Sequence, residues 1–203
     1  MFSISNVRAS ARDALRGNWG MGILVCFLAS LISTVISYIP VLGVVVAILI
    51  AGPLMYGVYA YFLKVVRGER AELSDMFSGF PLFGGTLVLY LLQTIFILLW
   101  TLLLIVPGII ASLRYAMAFF IMYDNPGISA LDAIRQSKEM MQGHKLSLFL
   151  LLLSFIGWAL LCILTLGIGF LWLYPYVQAS LAAFYEEIKA PSYATVPHET
   201  PSM

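Results

Sequence analysis

The one ionisable residue inside an apolar run of this chain is Arg114, within Ile109 to Tyr123. A charge at membrane depth marks a transport pathway or a paired site. None of the ten acidic residues lies within an apolar run. Partners for Arg114 are therefore neutral: Gln93, Gln178, Tyr115, Tyr174 or carbonyls at a helix end. A plainer account stands beside this one. Counted from a turn at Pro107-Gly108, Arg114 lies about five residues, roughly 8 Å, below the outer connection. From there its side chain can snorkel to the interface.

Pro53 and Pro175, flanked by Gly52 and Tyr174, are the other candidates. Prolines inside spans either open backbone carbonyls to a substrate, as broken helices do, or only kink the helix. The missing intramembrane acid speaks against proton- or sodium-coupled carriers and intramembrane aspartyl proteases, which place Asp or Glu at mid-bilayer. His144 and His198 have no Cys or acid at ligand spacing, so no metal and no cofactor is expected. Serines 30, 33, 37, 112, 147 and 154 lie in apolar helices with no His as base. Back-bonding to the helix accounts for them, and no enzyme chemistry is expected. Cys26 and Cys162, both in apolar runs, read as packing residues. Asp124-Asn125-Pro126-Gly127 reads as a turn that stops a helix, with Asp124 a lesser candidate for chemistry.

The elements that must position these residues follow from composition. Apolar residues make up 62% of the 203, charged residues 10%, and the mean hydropathy is +0.97. No soluble globule accommodates that surplus, so apolar surface must face lipid. Apolar runs extend from Trp19 to Tyr38, Val44 to Leu63, Thr86 to Val106, Ile109 to Tyr123, Leu146 to Ile163 and Ile168 to Tyr185. Helices of about 20 residues rise roughly 30 Å and cross the hydrocarbon core. The fourth run is short, after a helix break at Pro107-Gly108. The expected fold is all-α: a polytopic bundle of six transmembrane helices in three hairpins.

With six spans, every basic residue except Arg114 falls on one side, which the positive-inside rule makes cytoplasmic, with both termini. The outer connections, Ile39 to Gly43, Pro107-Gly108 and Leu164 to Gly167, are then short and uncharged. Two cytoplasmic segments read as amphipathic helices. In Ser5 to Leu15, Val7, Ala11 and Leu15 recur at spacing four beside Arg8, Arg12 and Arg16, as in a helix lying on an anionic membrane surface. In Ile128 to Lys145, Ser129 is placed to cap, Asp132 sits in the first turn, and Gly143 ends the helix. Membrane lipids, anionic at the cytoplasmic face, are the expected partners, with a homo-oligomer or a partner membrane protein also open. A net charge of +1 argues against nucleic acid. One membrane domain is expected over residues 1–189, followed by a Pro-rich disordered tail at 190–203. Similar segments precede each hairpin, with glycines at 17, 79 and 143, a weak internal repeat.

Several stretches are distinctive as written. VPGII at 106–110, YDNPGISALDAIRQSKEMMQGHK at 123–145 and LSFIGWALLCILTLGIGFLWLYPYVQASLAAFYEEIK at 153–189 closely resemble a bacterial family of multi-pass membrane proteins, domain of unknown function 975. ARDALRGNW, GPLMYG and RGE in the first half agree. The resemblance implies a bacterial cytoplasmic membrane protein and carries no activity to transfer. Two functions are compatible with the residues: a non-catalytic accessory or scaffold module, or a small permease or lipid-handling carrier. A carrier requires a polar cavity reaching mid-bilayer; a scaffold can be packed solid.

Overall fold

The computed structural model describes residues 4–38, 42–165 and 167–193. Among them there are helices and turns and no strand. The helices are α1 (Ile4–Leu15), α2 (Trp19–Ser37), α3 (Leu42–Arg67), α4 (Phe83–Leu103), α5 (Ile105–Tyr115), α6 (Ala118–Asp124), α7 (Ala130–Met140), α8 (Lys145–Leu164) and α9 (Phe170–Tyr193). A 3-10 turn, Leu73–Phe77, lies between α3 and α4. Residues 194–203, most of the presumed tail, lie outside the described residues, as do 39–41 of the first outer connection.

Five helical stretches are long and apolar enough to cross a bilayer: Trp19–Ile36, Gly43–Arg67, Phe83–Leu103, Ile105–Asp124 and Lys145–Leu164. The sixth expected span falls on α9, whose apolar run is broken by Tyr174, Pro175, Tyr176 and Gln178. It is not one of the five.

The fourth span differs from the sequence reading. The chain reverses at Leu104, whose φ of −162° and ψ of 144° are extended, and α5 begins at Ile105. Pro107 and Gly108 therefore lie inside α5 rather than at the turn. Proline is tolerated in a first helical turn, where its missing N–H has no intrahelical acceptor. Gly108 lets α5 close onto α4: a Cβ there would come within 2.2 Å of the Thr101 hydroxyl. The span formed by α5 and α6 is full length rather than short.

The two amphipathic helices form as expected. Ser129 accepts from the Asp132 amide at 3.1 Å to cap α7, and Gly143, at φ +81°, ends the segment after it. Val7, Ala11 and Leu15 of α1 are fully buried. Their face packs on α9 and α3, so the protein itself occupies the surface expected to meet lipid.

Burial divides the molecule into two halves. The largest buried side chains, among them Tyr61, Phe62, Phe120, Phe184 and Tyr185, gather near the charged ends of α3, α6 and α9. Toward the opposite end packing thins, and Leu102, Ile105 and Leu164 are 83%, 72% and 79% exposed. Such apolar exposure suits lipid as solvent. In the packed half α3 is approached closely by the segment that follows it. A Cβ on Gly57 would lie 1.8 Å from the Met76 carbonyl oxygen, and one on Gly79 would lie 2.2 Å from that of Pro53.

An ionic cluster ties this half together. Arg67, at the end of α3, donates through Nη2 to both Asp124 oxygens, at 2.8 and 3.0 Å, and through Nε and Nη2 to Glu186. Lys189 and the Tyr185 hydroxyl also donate to Asp124, so one carboxylate at the end of α6 joins α3 to α9. The Asp124 side chain is only 9% exposed, so its charge depends on these donors. Lys64 anchors the 3-10 turn through Asp75 at 2.7 Å.

Removing one member of a buried ion pair strands the others, at about 3 kcal/mol or more. Asp124→Ala should therefore lower the thermal midpoint of unfolding far more than Asp132→Ala, whose carboxylate is half-exposed on α7. Gly57→Ala should be at least as damaging, because the atom it meets is backbone and cannot rotate away. Differential scanning fluorimetry of the detergent-solubilised variants checks both.

Candidate functional site

Arg114 stands at a break between two helices. α5 ends at Tyr115 and α6 begins at Ala118, so backbone groups around the break need partners from elsewhere. The Ser137 hydroxyl of α7 donates to the Arg114 carbonyl at 2.8 Å and accepts from the Met117 amide at 3.2 Å. Gln93 of α4 donates from Nε2 to the Tyr115 carbonyl at 2.7 Å. Two side chains on different helices thus close a gap that hydrocarbon would penalise by several kcal/mol per group. The Gln93 bond runs to the backbone of Tyr115, next in the chain to Arg114, and not to the guanidinium.

The Arg114 side chain is half-buried, and its Nε is buried without a hydrogen-bond partner. Because the reversal is at Leu104, Arg114 lies ten residues beyond it, roughly 15 Å at the helical rise. The short reach to the outer interface expected from a turn at Pro107-Gly108 is lost. Arg114 lies instead beside α7.

The remaining candidates are elsewhere. Pro53 is buried in α3 and packs against Gly79. Tyr174 and Gln178, one turn apart on α9, come together on the wall of a cavity of about 130 Å³ between α2, α3 and α9. Ser30 and Ser33 of α2 and Tyr59 of α3 line the same space. Pro175 is turned toward α2, where a Cβ on Gly22 would touch its ring at 3.7 Å. The serines bond back to their own helices as expected, Ser30 to Phe27 and Ser33 to Ala29.

A second site groups Arg8 and Arg12, expected on a membrane surface, with residues of α8 and α9 to which no local pattern links them. On another side of α9, α1 and α8 enclose a groove of about 390 Å³. Arg8 and Arg12 stand at one end, and Trp19, Trp158 and Trp172 form much of its wall. Arg8 is held in place: its Nε donates to the Tyr176 hydroxyl at 3.3 Å, and its guanidinium lies 5.4 Å from the Phe155 ring centroid. Neither Arg8 nor Arg12 has an acidic partner among the described residues, whereas Arg16 pairs with Asp13 and Arg67 with two acids. The available signal is the tryptophan pair, Trp158 and Trp172, on either side of the turn between α8 and α9, since Trp concentrates at membrane interfaces.

Ser137→Ala removes both bonds that close the α5–α6 break, and should cost about 1–3 kcal/mol. Hydrogen exchange at the Met117 amide should accelerate while the amides of α9 keep their protection. Unchanged exchange at Met117 would contradict the stitching role.

No curated protein and no solved structure matches the chain. A family described as Protein of unknown function (DUF975) matches it over residues 1–111 and again over 102–192. With nearly all of its length covered by those two matches, the chain belongs to that family.

Proposed function

We propose that this protein is a non-catalytic accessory or scaffold module of the bacterial cytoplasmic membrane that holds an anionic phospholipid in the groove between α1, α8 and α9. In this reading α9 completes six spans, and both termini are cytoplasmic, as the charge distribution requires. One observation carries it: two arginines without acidic partners stand at the end of a groove walled by tryptophans and leucines. Guanidinium groups bind phosphate oxygens in a planar fork of charge-assisted hydrogen bonds. The groove continues past Leu161 to Thr165 and Gly169 at the α8–α9 turn. A phosphate at Arg8 and Arg12 would leave its acyl chains along that apolar wall.

A small permease or lipid-handling carrier is the second reading. The cavity at Tyr174 and Gln178 favours it, because such a carrier needs polar groups away from the charged end of the bundle.

Basic residues near an anionic lipid surface contribute about 1 kcal/mol each. Arg8→Gln with Arg12→Gln should therefore weaken stabilisation by phosphatidylglycerol by roughly tenfold or more in apparent affinity. Arg12→Glu alone should act in the same direction, and its exposed side chain makes it safe for folding. Arg135→Gln, which alters an exposed pair on α7, should change nothing. Thermal-shift titrations with phosphatidylglycerol and phosphatidylcholine read the difference; equal stabilisation of all variants would sink the proposal.

A further inference from the structure

Gln178 is 8% exposed, and its Oε1 is buried with no hydrogen-bond partner among the described residues. An unpaired acceptor of this kind is costly and marks a place where a ligand or ordered water belongs. It lies on the wall of the cavity between α2, α3 and α9. Ser30, on the facing helix, has committed its proton to the Phe27 carbonyl at 2.8 Å, which leaves its oxygen to accept. The space thus presents two acceptors beside the Tyr59 and Tyr174 hydroxyls, with Gln178 bonded to Tyr174 and only its Oε1 left over, so the occupant it calls for is one that can donate a hydrogen bond.

Its shape indicates where the donor comes from. The cavity of about 130 Å³ shares Cys26, Ser30 and Tyr174 with an adjoining hollow of about 240 Å³ that reaches Gly167 and Phe170. Water needs only about 10–15 Å³ by this measure, so a glycerol-sized group has room. Met55, Phe27 and Leu171 on the walls are 38%, 48% and 40% exposed, on helix faces that meet lipid. Access is therefore sideways from the hydrocarbon phase.

We infer that this cavity binds the free hydroxyl of a membrane-borne amphiphile, with Gln178 Oε1 accepting its hydrogen and Ser30 Oγ available as a second acceptor. None of its lining residues lines the arginine groove, so it is a second site on α9, independent of the phospholipid reading. A free hydroxyl on a lipid of low polarity satisfies the acceptor without bringing a charge into the bilayer, where Gln178 has no countercharge to offer.

The test is binding to the full chain in phosphatidylcholine nanodiscs, followed by thermal shift. Dioctanoylglycerol should raise the unfolding midpoint in a concentration-dependent way. Its O-methyl ether, which lacks the donor, should do so roughly tenfold more weakly, and free glycerol not at all. Gln178→Leu should abolish the preference for the free hydroxyl while keeping or raising the midpoint without ligand, since it removes an unpaired buried acceptor. If Gln178→Leu does not fold, Ser30→Ala serves, because it gives up only a local back-bond; it should weaken dioctanoylglycerol alone. Equal stabilisation by the ether would show apolar filling, stabilisation by glycerol would show a soluble polyol as the source, and no stabilisation by any would leave water as the occupant. Each of these overturns the inference.

Discussion

Asp124 receives hydrogen bonds from Arg67, Lys189 and Tyr185 at once, and the packed half of the protein is arranged around that carboxylate. The constraint is electrostatic and steric together. A charge this far removed from water persists only when several donors surround it. Those donors sit at the ends of apolar helices that lipid would otherwise leave free to slide and rotate. Apolar surfaces give little preference for one register over another in a bilayer, since lipid tails are as apolar as leucine. Polar contacts such as this one, with close approaches such as Gly57 on Met76, supply the register instead.

The consequence is a bundle tight at its charged end and open at the other. Fixing α3, α6 and α9 at one end leaves α8 the less tightly held neighbour of α9. α9 packs on α1, α2 and α3 more than on its hairpin partner α8. Spaces therefore open on two sides of one helix: one between α9 and α8, headed by arginines, the other between α9 and α2, lined by hydroxyls and a carboxamide. Their chemistry differs because their neighbours differ. α1 brings guanidinium groups to the first, and α2 brings serines, a cysteine and apolar side chains, with no charge, to the second.

The local signals in the sequence were reliable where one residue type has one use. Ser129 caps, Gly143 ends its segment, and the spacing of Val7, Ala11 and Leu15 marks a buried face. They misled where a residue has two uses. Pro107-Gly108 reads as a turn, yet proline also opens helices, and the true reversal at Leu104 has no turn residue to announce it. Asp124 does end α6, but its second use is hidden because its partners, Arg67, Tyr185 and Lys189, are 57, 61 and 65 positions away in the chain. Gln178 was legible as polar and intramembrane, but grouping it with Arg114 required a contact that the fold does not make. The arginine groove joins α1 to α8 and α9 across about 150 residues, a distance no local pattern spans.

A groove headed by Arg8 and Arg12 must select lipid by charge. Native mass spectrometry of the protein released from bilayers of equal phosphatidylglycerol and phosphatidylethanolamine measures this directly. Retention of one phosphatidylglycerol per chain, with little phosphatidylethanolamine, is the predicted result. Equal retention of the two lipids, or a bare chain under conditions that preserve the fold, would contradict it.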